Sequence, residues 1–273
     1  AGGLAALAIE LFVFFEQPLS WLNRAGAEQV RIVGPLVALW FALFTWPLFV
    51  WTPDRPATGL SIFAATQRGL VMLRKTLRNL SEERNLLRFL VAHMLYTDAL
   101  VGIFTFGGIY AAGTFGMTLA EVTLFGIILN VTAGFGAFSF AWIDDWIGSR
   151  STILLSLVGL VTTATAAVLV TDRQWFWIAG SGLGLFVGPA QAASRSLMAH
   201  LAPKGRETEF FGLFALSGKA TAFLGPAMVG GVTAITQSQR LGVASLLLLL
   251  IAGGGLLLTV RKDGGELARR ALG

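Results

Sequence analysis

Apolar residues in this chain fall in runs about as long as a bilayer's hydrocarbon layer is thick, and that limits the possible folds more than any motif does. At about 1.5 Å per residue, a helix of about 20 residues crosses about 30 Å of hydrocarbon. A partial first segment, "AGGLAALAIELFVFFE", is followed by seven candidate runs at 30–51, 87–111, 118–142, 151–171, 174–199, 209–233 and 240–260. The run Ser151–Thr171 carries no charge at all. Charged residues make up 13% of the chain, where a soluble domain has about a quarter. No segment alternates apolar and polar residues as a barrel strand does, so the fold class expected is an all-α integral membrane protein. The absence of cysteine excludes disulfides, thiol catalysis and cysteine metal sites. No cofactor and no metal are expected.

The net charge of +5 could suggest nucleic acid in a soluble protein. Here it reads as the basic excess of cytoplasmic loops, so the lipid bilayer is the expected partner and nucleic acid is not. One set of alternate connections holds Arg55, Arg68, Arg74, Lys75, Arg78, Arg84, Arg88, Arg150, Lys204, Arg206, Arg261, Lys262, Arg269 and Arg270; the other holds only Arg24, Arg31, Arg173 and Arg240. This asymmetry places the loops 52–86, 143–150 and 200–208 and the C-terminus in the cytoplasm, most simply across a bacterial cytoplasmic membrane. Within 52–86, Leu70, Leu73, Leu77 and Leu80 recur at helical spacing among Arg68, Arg74, Lys75 and Arg78. That pattern suits a basic amphipathic helix at the membrane surface, or a solvated linker. Thr118 and Glu121 form a capping box that starts the run at 118–142, and Pro53 and Pro203 mark helix exits.

The short connection "WIDDWIGSRS", Trp142–Ser151, sets two aspartates, a glycine and an arginine between apolar runs. A turn between spanning helices needs a glycine, and an acid can cap the next helix's N-terminus. Asp145, Gly148 and Arg150 also fall in register with the loop motif Gly-x-x-x-Asp-(Arg/Lys)-x-Gly-(Arg/Lys)-(Arg/Lys) of the major facilitator superfamily, from which Ala141, Trp146 and Ser149 depart. Two helices, a long basic loop and six further helices resemble the second part of such a transporter. The resemblance implies the last two helices of the N-terminal bundle at 1–51, the first partial. A cytoplasmic linker at 52–86, a C-terminal six-helix bundle at 87–260 and a tail at 261–273 follow. "HMLYTDALVGIFTFGGIYAAGTFGM" and "QAASRSLMAHLAPKGRETEFFGLFALSGKATAFLGP" are similar to the vacuole effluxer-like branch, whose eukaryotic members are implicated in amino-acid efflux. Its Ser-Arg-Ser, Glu-Phe-Phe-Gly and Ser-Gly-Lys blocks fall at 194–196, 209–212 and 217–219.

Ionisable side chains within a bilayer cost about 2.5–3.5 kcal/mol each on insertion scales, so they mark candidate function. Those here are Glu10, His93, Asp98, Arg195 and Lys219, with Asn130 and Gln191 as uncharged polar company. His93 and Asp98 share the His-x-x-x-x-Asp spacing of glycerolipid acyltransferases. They point about 140° apart on a helix, however, which counts against an enzyme. "GSGLG" at 180–184 lacks the register of a dinucleotide loop; Gly180, Gly184 and Gly188 instead repeat every four residues, as close helix packing requires. Gln191 and Arg195 continue the same face. Asp98 and Lys219 lie equally far along parallel helices, about 13–14 Å deep, and are expected to face each other or share a ligand. Arg150, Arg195, Glu207 and Glu209 are expected at an inner gate.

The function expected is therefore secondary active transport of a small polar solute, amino acids among the candidates, with a proton as coupling ion. Asp98, Lys219, Gln191, Arg195 and Asn130 would lie along the path and Asp145, Gly148, Arg150 and Glu209 at the cytoplasmic gate. A membrane scaffold without transport is the alternative.

Overall fold

Each of the seven later runs contains helix. The computed structural model describes residues 31–53, 83–203 and 205–261, with isolated positions 9, 59, 61, 63–64, 66–69, 71 and 74. Glu10, the leucines of the expected surface helix, Lys204 and the tail from residue 262 lie outside the described residues. The chain divides into two compact units, 1–82 and 83–273. In the first, helix α1 spans Val33–Trp51.

In the second unit the helices are α2 (Arg84–Phe115), α3 (Leu119–Ile147), α4 (Ser149–Leu169), α5 (Arg173–Leu201), α6 (Glu207–Ala220), α7 (Leu224–Thr236), α8 (Gln239–Ala244) and α9 (Leu246–Leu257). No strand occurs among the described residues. By length and composition six segments can cross a membrane: Val33–Trp51, Arg84–Phe115, Leu119–Ile147, Ser149–Leu169, Glu207–Thr236 and Gln239–Leu257. Helix α5 is as long as α3 but more polar, because Gln174, Ser181, Gln191, Ser194, Arg195 and Ser196 interrupt its apolar face.

Helices α3 and α4 both pack along α5, while α9, α6 and α7 pack on α2. Contacts between α4 and α9 join the two groups. The α3–α5 contact is a glycine seam. A methyl group at Gly184 would collide with the Thr132 hydroxyl, and one at Gly188 with the Ala133 carbonyl. In the reverse direction Gly136 rests on the Leu185 carbonyl, which Pro189, lacking an N–H, cannot bond within α5. Small residues thus let the two backbones touch, the usual substitute in lipid for a hydrophobic driving force.

Two of the expected single helices are broken. The run 209–233 divides between α6 and α7 at Thr221–Phe223, and the run 240–260 divides at Ser245. Pro226 accounts for the first break. Its ring clashes with the carbonyl of Ala222 and offers that carbonyl no donor. The chain crosses the gap through short bonds instead, Leu224 N to Thr221 O at 2.7 Å and Ala222 N to Lys219 O at 3.3 Å.

Candidate functional site

The connection at Trp142–Ser151 occupies one end of the bundle. Gly148 is both the C-cap of α3 and the N-cap of α4, at φ +83°, a conformation that residues with a side chain rarely adopt. Its N–H donates to Asp144 O at 2.9 Å, and its carbonyl accepts from Ser151 and Thr152. The carboxylate engaged here is Asp144, which accepts from the Ser149 hydroxyl at 3.3 Å; Ser149 Oγ also lies 2.9 Å from Ser196 Oγ on α5. Asp145, expected at a helix N-terminus, instead lies exposed in the last turn of α3.

Arg150, expected at an inner gate with Glu207 and Glu209, meets no acid among the described residues. Its guanidinium donates to the carbonyls of Leu257 at 3.2 Å and Leu258 at 2.7 Å, where α9 ends. Arg88 donates to Thr259 O, and Asn85 exchanges two bonds with the Arg261 backbone. The physical reason is the helix terminus itself: its last carbonyls lack partners and carry partial negative charge, so they attract cations as an acid would. Glu209 pairs with Arg206 one turn away, and Glu207 accepts from the Gly205 N–H. The four-residue charge cluster therefore does not assemble around Arg150.

At the opposite end the Thr118–Glu121 capping box forms as expected, and Arg173 at the start of α5 pairs with Glu121. Between the two ends, the buried histidine and the buried aspartate both belong to α2. His93 is buried, stacked on Phe214 at 4.1 Å between ring centres, with Nδ1 3.0 Å from Ser217 Oγ of α6. One turn on, Tyr96 OH lies 2.7 Å from Ser194 Oγ of α5. Ser194 gives its own proton to Ala190 O, so Tyr96 is the donor of this pair. His93 and Asp98 serve different neighbours, as the 140° divergence requires.

Asp98 has no accessible surface. Neither carboxylate oxygen has a hydrogen-bond partner among the described residues other than the buried hydroxyl of Thr221 beside it, and that hydroxyl has no other partner either. Gly225, at the start of α7, lies so close to the Asp98 carbonyl that a side chain there would strike it. The residue brought to Asp98 is thus Thr221, at the helix break, and not Lys219. Lys219 is exposed in the last turn of α6 and makes no ion pair with Asp98. Residues two apart on a helix project to opposite sides, so a turn that delivers residue 221 carries residue 219 away.

Of the remaining candidates, Gln191 and Arg195 are exposed on α5, beyond the end of the glycine seam. Asn130 donates to Gly126 O within α3 and lines a cavity of about 180 Å³ whose other walls are mainly apolar, among them Phe125, Leu129, Phe176 and Leu250. Tyr96, Ser194, Ser217 and Thr221 were not singled out in the sequence. Three of them lie in or beside the Ser-Arg-Ser and Ser-Gly-Lys blocks, and their buried or partly buried hydroxyls are what those blocks contribute here.

The sequence profile of the family described as vacuole effluxer Atg22 like matches residues 1–269. The chain belongs to this family. Autophagy-related protein 22-1 of Penicillium rubens is 26% identical, over 92% of this chain and 46% of its own length. The autophagy-related protein 22 of Coccidioides immitis is 26% identical over 75% and 38%, and that of Cryptococcus neoformans 27% over 80% and 42%. The chain spans less than half the length of these Atg22 relatives. They are fungal, and the bacterial membrane expected above draws no support from them. Family and helices together make this a multi-pass membrane protein.

Proposed function

We propose that the Atg22-like chain contributes the C-terminal bundle of a secondary transporter, which moves amino acids or similar small polar solutes by alternating access. The observation that carries this reading is Asp98, a fully buried ionisable side chain set against a break in a spanning helix. Interrupted helices at membrane depth are tolerated where they are buried in protein or line a path, and transporters build their binding sites from them. The family's description as effluxers agrees. The exposed polar groups Gln191, Arg195 and Lys219 supply the solute's polar contacts, with Asn130 deeper in the bundle. The connection containing Asp145, Gly148 and Arg150, with Glu209 beyond it, forms the cytoplasmic gate, in which Arg150 holds the end of α9.

Proteoliposomes of the full-length protein, loaded with labelled standard amino acids, test this. Release faster than from protein-free vesicles is the expected result. No release of any of them, from protein shown to be folded, would leave the scaffold alternative.

A further inference from the structure

We propose that Asp98 and Thr221 form the binding site of a small monovalent cation, a proton or a sodium ion, whose movement is coupled to that of the solute. The coupling rests on the transporter reading; the site itself does not.

Three oxygen atoms carry the inference: both carboxylate oxygens of Asp98 and the hydroxyl oxygen of Thr221 beside it, all buried and with no hydrogen-bond partner among the described residues beyond one another. Buried polar groups are almost always paired, because leaving one unpaired costs about 1–3 kcal/mol, and more for a charged group. Three such oxygens on facing elements make a site for a cation and offer an anion little. Among the described residues no counter-charge faces these oxygens. Helices α7 and α9, both packed on α2, hold no titratable side chain. On the other elements around α2, Lys219 is exposed, Glu209 is paired with Arg206, Arg195 is exposed, and Arg240 of α8 donates to Val168 O. On α2 itself His93 is turned to Ser217.

The charge of the ligand follows from the count of acids. One carboxylate balances one positive charge, and a divalent ion in the same apolar setting would leave an excess of one. Oxygen donors suit a hard ion. A proton would bind to one carboxylate oxygen and hydrogen-bond through the other groups; a sodium ion would take the carboxylate and the Thr221 oxygen as ligands. The location suits coupling. Thr221 belongs to the α6–α7 turn and Asp98 to α2, so any shift of α6 against α2 opens or closes the site.

Infrared difference spectra of the full-length protein in liposomes test the site without any solute. In sodium-free buffer a pH step should change a carboxyl band if the ligand is a proton. At fixed pH, replacing choline chloride with sodium chloride should change it if the ligand is sodium. Both changes together mean that the two ions compete. D98N should lack the change. T221V, which keeps the shape and removes the oxygen, should shift the half-saturation point about tenfold, the effect of losing one hydrogen bond to a charged group. The proposal is overturned if no carboxyl band responds in either arm, or if the response survives in D98N. Normal amino-acid release with no such band would remove the cation site and leave the transporter; a responding band without release would do the reverse.

Discussion

At Gly188 a single added carbon would run into the Ala133 carbonyl of the neighbouring helix. Gly188→Leu should therefore lower the thermal midpoint in detergent, with a destabilisation of about 1–3 kcal/mol or more. Gly231→Ala, where nothing lies within 4 Å, should leave the midpoint unchanged or raise it, since alanine is the better helix former by about 1 kcal/mol. Equal effects of the two substitutions would mean that the seam is not a backbone contact. The four-residue glycine spacing was legible because close packing imposes it on any sequence. The partner of Asp98 was not. Depth along a helix is set by residue count, and it correctly put Asp98 and residues near 219 at one level. Direction around the axis depends on where the helix stops, and a stop at residue 220 exchanged Lys219 for Thr221.

Among the elements, the break between α6 and α7 had a visible cause in the Gly225-Pro226 pair, a common marker of interrupted structure. The length and apolarity of 209–233 concealed it, because hydropathy reports whether a segment can cross a membrane and not whether it is continuous. The opposite holds for the connection at Trp142–Ser151. Its glycine was read correctly as a turn, while the role of Arg150 was not, since no pattern in a sequence shows the unpaired carbonyls of a distant helix end. Removing that cation should loosen α9 locally. In Arg150→Ala, amide hydrogen exchange at Leu258, Thr259 and Val260 should quicken as the interaction, about 0.3–1 kcal/mol, is lost. Amides along the α3–α5 seam should keep their protection. Unchanged exchange at the end of α9 would show that Arg88 and Asn85 suffice to hold it.

For the molecule as a whole, the charge asymmetry of the connections implies a topology that chemistry can check. The chain has no cysteine, so single cysteines report without interference from it. Trp146→Cys, at a side chain 91% exposed in the α3–α4 connection, should react with a membrane-impermeant maleimide only after sealed cells are opened. Thr171→Cys, between α4 and α5, should react before. The reverse pattern would invert the assignment of both faces. Membrane class was legible at this scale because the bilayer imposes a single length on every span. The pairing of α3 and α4 with α5, and of α6, α7 and α9 with α2, was not, since it depends on which small residues meet. Where backbone rests on backbone, as between α3 and α5, there are no rotamers to exchange and so little compliance. Bending of this bundle is therefore expected at its helix breaks, Thr221–Phe223 and Ser245, with α3 and α5 acting together as one stiff lever arm.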